Sequence, residues 1–71
     1  MNLNKKNKKD LLQEALKLHQ AGNLGSAAKC YNKLLEMQPN NIDELFLSGT
    51  LNLQSGKLDL ACLLFRKALE L

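Results

Sequence analysis

Seventy-one residues, 45% of them hydrophobic and 24% charged, allow one small soluble-type domain and exclude a disordered polar chain. The formal net charge of +3 is unevenly spread: Lys5, Lys6, Lys8 and Lys9 supply four of the ten positive charges, and from Asp10 onward six positives face seven negatives. No apolar run approaches the roughly 18 to 20 residues that span a bilayer, and no secretory h-region follows the lysines. The expected compartment is therefore the cytoplasm.

Residues 1–7 form a polar, basic leader. Next comes a stripe of Leu11, Leu12, Ala15, Leu16 and Leu18 at i, i+4, i+7 spacing, which predicts an amphipathic helix over 8–21. Ala21-Gly22-Asn23 stops it, Gly22 suiting the left-handed conformation past a helix end. Leu24, Ala27, Ala28, Tyr31, Leu34 and Leu35 predict a second helix over 24–37, closed before Pro39. Asn41 is a candidate N-cap, with Glu44 three residues on to complete a capping box. Ile42, Leu45, Phe46, Gly49 and Leu53 predict a third helix over 42–55, ended at Ser55-Gly56. The fourth, over 58–71, runs through Ala61, Phe65, Ala68 and Leu69. No stretch alternates with period two, so the expected fold is all-α, four antiparallel helices in two hairpins.

The chain repeats on itself at an offset of 34. Gly22 falls on Gly56, Leu24 on Leu58, Ala27 on Ala61, Tyr31 on Phe65 and Lys33 on Lys67. Leu35-Glu36 falls on Leu69-Glu70, and Leu11 on Leu45. A helix–turn–helix unit of this length cannot bury its own apolar face and must stack on others like itself. This divides the chain into unit 8–41 and unit 42–71, the second shorter and without a closing polar helix. Such a pair is expected to be part of a longer array or to bury its ends against a partner.

These features resemble the tetratricopeptide repeat. Leu11, Ala15, Leu18, Gly22, Ala27, Tyr31 and Pro39 match its pattern in the first unit, and Leu45, Gly49, Gly56, Ala61, Phe65 and Ala68 in the second. Glu14, Ser48, Leu34 and Asn52 depart from it. The resemblance implies a short right-handed α-solenoid. It also implies a concave groove, lined by Lys9, Leu12, Leu16, His19 and Gln20 and by Asp43, Phe46, Thr50, Leu53 and Gln54. Such a groove holds a peptide or partner helix. Leu12, Leu16 and Leu47 stand where a carboxylate clamp would need lysine and asparagine, and Gln13 and Leu47 where an asparagine ladder would run. What remains is apolar. The run Leu18 to Leu24, with Tyr31, Leu34-Leu35 and Gln38-Pro39, is similar to the first repeat of bacterial tetratricopeptide proteins. Some of those carry downstream glycosyltransferase domains of the protein O-linked N-acetylglucosamine transferase type, and others methyl- or sulfotransferase domains. An N-terminal scaffold of such an enzyme is thus an alternative role.

Nothing in the chain points to chemistry of its own. Cys30 and Cys62, with one histidine, do not make a zinc set, and are expected as reduced, partly buried thiols. His19 lacks a sequence neighbour that would make it a base or ligand, and is expected as an ordinary exposed residue near a helix end. No glycine-rich phosphate loop is present, and three aromatics are too few for a base-stacking platform. No enzyme activity, metal or cofactor is expected. A nucleic-acid or anionic-membrane contact through Lys5–Lys9 is a minor alternative, disfavoured by the near-neutral remainder. The last helix adds Leu60, Leu63 and Leu64 to outward positions that carry Ser26, Lys29 and Cys30 in the first unit. With Leu58, Phe65 and Leu69 assigned to the core, this helix is apolar nearly all round, which predicts a homodimer with the fourth helix at the interface.

Overall fold

A computed structural model describes residues 7–71 as four helices: α1 (Lys8–Gln20), α2 (Leu24–Met37), α3 (Ile42–Gln54) and α4 (Leu58–Glu70). There is no strand among the described residues. The all-α expectation holds, and three of the four helices end one residue earlier than their patterns predict. α1 packs on α2, α3 on α4, and α2 meets α3 between the pairs.

Local chemistry sets the boundaries, and it recurs at the offset of 34. The Asn7 side chain accepts from the Asp10 amide at 2.8 Å, and Asn41 accepts from the Glu44 amide at 3.0 Å. Each asparagine satisfies one of the amides left open at a helix start. The exits match as well. Asn23 N–H donates to Leu18 C=O at 2.9 Å and Gly22 N–H to His19 C=O at 3.1 Å. Lys57 N–H donates to Asn52 C=O at 2.8 Å and Gly56 N–H to Leu53 C=O at 3.1 Å. These paired bonds form a Schellman motif, which needs a left-handed residue. Gly22 (φ 82°) and Gly56 (φ 80°) supply it.

The predicted capping box forms only in half. Asn41 caps the Glu44 amide, but the Glu44 carboxylate does not reach back to the Asn41 amide, which donates to Gln38 C=O instead. The Glu44 side chain is buried and turned toward Lys8, with Nζ 3.5 Å from its Oε2.

Leu11, Ala15, Ala27, Tyr31, Leu34 and Leu51 form the main buried cluster. Five of the six come from α1 and α2. The sixth, Leu51, reaches across from α3 and is the wedge that joins the two pairs. Ala15 and Ala27 are fully buried, small where α1 and α2 must approach closely. Within the second pair, Gly49 lets the Phe65 ring lie against α3: a Cβ at Gly49 would stand 2.7 Å from Phe65 Cε1. Two departures from the repeat pattern, Ser48 and Asn52, are both buried, and the Asn52 amide is satisfied by donating to Ser48 C=O at 2.7 Å.

Several expected core positions are not in the core. Leu58 and Leu69 are exposed, whereas their counterparts Leu24 and Leu35 are half-buried. Phe65 is half-buried, whereas its counterpart Tyr31 is fully covered. Cys30 is half-buried against the main cluster, as expected of both thiols, whereas Cys62 is exposed. Both thiols are free.

Candidate interaction groove

An open groove runs between α1 and α3, the first helices of the two pairs. One hollow, of about 400 Å³, is lined by Lys8, Lys9, Leu12, Asn41, Asp43, Glu44 and Leu47. A second, of about 410 Å³, is lined by Leu16, His19, Gln20, Leu47, Thr50 and Gln54. Leu47 belongs to both and joins them. Leu12, Leu16 and Leu47 thus form an apolar middle between two polar ends.

Eight of the ten expected groove residues come together in these hollows: Lys9, Leu12, Leu16, His19, Gln20, Asp43, Thr50 and Gln54. Phe46 and Leu53 do not. Phe46 turns toward α4, its ring centroid 5.8 Å from that of Phe65, and Leu53 is exposed outside both hollows. The reason is helical rotation, since one residue step turns the side chain by about 100°. Residues 43, 47, 50 and 54 share the face toward α1, whereas 46, 49 and 53 share the next one. Leu47, at the centre of the groove, is legible in the sequence only as a position where polar ligand-binding residues are missing.

The polar end near Gln54 is more ordered than the sequence suggests. His19 is half-buried and bridges both units, correcting its reading as an ordinary exposed histidine. Its Nδ1 lies 2.9 Å from the Tyr31 hydroxyl and its Nε2 2.6 Å from Gln54 Oε1. In the neutral ring, Nε2–H donating to Gln54 and Nδ1 accepting from Tyr31 O–H satisfies both contacts. The two rings meet edge to face, with centroids 5.7 Å apart.

Burial of Tyr31 raises its hydroxyl above the ordinary value of 10.0, with the Cys30 thiol adding to the shift. A folded-state value above the unfolded one means that the folded chain holds its proton longer. The stability contributed by the neutral phenol is complete below pH 10.0 and is lost as pH rises through the folded value. Tyr31→Phe is expected to cost about 1 kcal/mol at neutral pH, through the lost contact to His19. It should also flatten the decline in stability above pH 10. Urea titrations of both chains at neutral and alkaline pH measure this, and parallel declines would show that Tyr31 does not carry the effect.

At the other end, the Glu44 carboxylate is only 2% exposed and its Oε1 has no hydrogen-bond partner among the described residues. The Lys8 ammonium beside Oε2 is its compensating charge, which takes Lys8 out of a free basic cluster. Lys9 is exposed, and Lys5 and Lys6 lie outside the described residues. Among the described residues no group of three or more His, Cys, Asp or Glu could hold a metal ion, and no helix is long and apolar enough to cross a membrane.

A tetratricopeptide repeat family model matches residues 15–41, the span from mid-α1 through α2 and its closing proline to the Asn41 cap. Over that span, less than half of its length, the chain is similar to a tetratricopeptide repeat. The four-helix arrangement is consistent with a second unit of the same kind, since α3 and α4 repeat the caps, turns and small residues of the tetratricopeptide segment at the same offset. No curated protein and no solved structure matches the chain. A tetratricopeptide repeat is in general a protein–protein interaction module, and the match suggests that class for this chain.

Proposed function

We propose that the chain binds a peptide or a partner helix along the α1–α3 groove, without catalysis, metal or cofactor of its own. The observation that carries this reading is the continuous apolar middle of Leu12, Leu16 and Leu47, open between polar ends. Apolar side chains of an amphipathic segment would sit on the leucines. Its polar groups would meet Asn41, Asp43 and Lys9 at one end and Gln20, Thr50 and Gln54 at the other. Leu16 is half-buried and Thr50 exposed, so both can be changed without opening the core.

Immobilised wild-type chain should retain a specific partner from host extract. Leu16→Glu and Thr50→Arg should each weaken that retention about tenfold or more, as expected for a charge set in a binding hot spot. Lys29→Glu, on exposed α2 surface, should leave it unchanged. Equal retention by all four chains, with helicity intact, would rule the groove out.

A second reading is supported by a different observation: Leu58, Leu60, Leu63 and Leu69 of α4 are all exposed. Leu64, also expected at a self-association surface, is half-buried. Burying a leucine contributes about 1.5 to 3 kcal/mol, so this exposure favours self-association of the chain as a homodimer.

A further inference from the structure

The most deeply buried polar group lining the α1–α3 groove is an acceptor without a donor. Glu44 lines the hollow at the Lys8 end, is 2% exposed, and leaves its Oε1 with no hydrogen-bond partner among the described residues. Buried carboxylate oxygens are ordinarily hydrogen-bonded, because taking one from water without a donor is costly. Lys8 does not repair this. Its Nζ lies 3.5 Å from Oε2, beyond the roughly 2.7 to 3.2 Å of an N–H···O bond, so it brings charge to one oxygen and nothing to the other. Asn41, beside them, is already engaged: its Oδ1 accepts from the Glu44 amide and its Nδ2 donates to Gln38 Oε1.

We infer that this hollow takes an arginine side chain of the bound segment, its guanidinium pairing with both Glu44 oxygens in place of Lys8. The inference rests on the groove reading above and names the chemistry recognised at one end of it. A guanidinium presents two parallel N–H donors that match the two oxygens of a carboxylate, whereas an ammonium is a point charge. A lysine would therefore bring only what Lys8 already supplies. Leu12 and Leu47 line the same hollow and suit the aliphatic stem of an arginine. Asp43, exposed on the same lining, adds a second negative charge. An anionic ligand would face both carboxylates, with Lys8 already paired.

Access depends on Lys8. It is the first residue of α1, its side chain is 34% exposed, and it takes no part in the buried cluster, so it can swing outward without opening the core. Lys8 is thus a competitor for the carboxylate, and removing it should improve binding.

Titration of the full chain with N-acetyl-arginine methylamide, followed by amide chemical shifts, is the test, with the lysine and citrulline analogues alongside. The arginine probe should shift Leu12, Glu44 and Leu47 saturably. The lysine probe should bind more weakly, and citrulline, which keeps the shape without the charge, should not bind. Glu44→Gln, with helicity intact, should weaken arginine binding about tenfold or more, through loss of the charge-assisted bonds. Lys8→Ala should strengthen it about threefold by freeing the carboxylate. Absence of saturable shifts, arginine binding unchanged in Glu44→Gln, an equally tight lysine probe, or no gain in Lys8→Ala would each overturn the site. Leu16 lies outside this hollow, so Leu16→Glu should leave the probe unaffected while releasing a groove partner. Partner retention lost in Leu16→Glu without probe binding to the wild type would overturn the arginine site and leave the groove standing. Probe binding with retention unchanged in Leu16→Glu would overturn the groove reading and leave the site.

Discussion

Leu51→Ala is expected to lower the stability of the chain by about 3 kcal/mol, within the range for truncating a buried leucine. Leu51 is 1% exposed and is the α3 member of a cluster otherwise built from α1 and α2. Removing it opens a cavity at the joint between the two pairs, where little surrounding structure can collapse to fill it. A domain this small has a total stability of only about 5 kcal/mol, so the loss should bring unfolding close to ambient temperature. Thermal and urea unfolding followed by circular dichroism measure it, with Leu63→Ala as the exposed control, expected within about 0.5 kcal/mol of wild type. A Leu51→Ala chain as stable as that control would mean the two pairs are not joined through this residue.

Gly49→Leu should be the other severe substitution, for the opposite reason. There is no room: even a Cβ would stand 2.7 Å from Cε1 and 2.9 Å from Cδ1 of Phe65. A leucine must push the Phe65 ring off α3, breaking its tilted contact with Phe46. Overpacking of this kind costs about 1 to 3 kcal/mol. Gly49→Ala meets the same ring with a smaller intrusion, and its helix-propensity gain of about 1 kcal/mol offsets part of the strain. The alanine variant is thus expected to lie between wild type and leucine in urea midpoint. A leucine variant as stable as wild type would show that Phe65 yields freely and that the α3–α4 contact does not depend on it.

The fold is legible in the sequence because it is built from local signals. Asn41, Gly22 and Gly56 act on amides and carbonyls within a turn of themselves, and the apolar spacing of α1 and α2 reads directly as a buried stripe. The features that sequence patterns miss depend on neighbours distant along the chain. Leu51 breaks the stripe of α3, and its counterpart Lys17 is exposed, so the repeat itself conceals its burial. Leu58 and Leu69 read as core because Leu24 and Leu35 do, yet they are exposed where those two are half-buried. Family resemblance assigns Phe46 and Leu53 to the groove. The face they occupy is one residue step, about 100°, away from Leu47 and its companions. The His19 bridge joins residues 12 and 35 positions away, a separation that no sequence window connects.

The groove is tested most directly by site-specific photo-crosslinking from two positions in the full chain, Leu47 at the middle of the groove and Lys29 on exposed α2 surface. Binding along the groove predicts that a reactive group at residue 47 captures a discrete partner protein, and that Leu16→Glu abolishes the product. It predicts no such product from residue 29. Capture from residue 29 with none from residue 47 would contradict it.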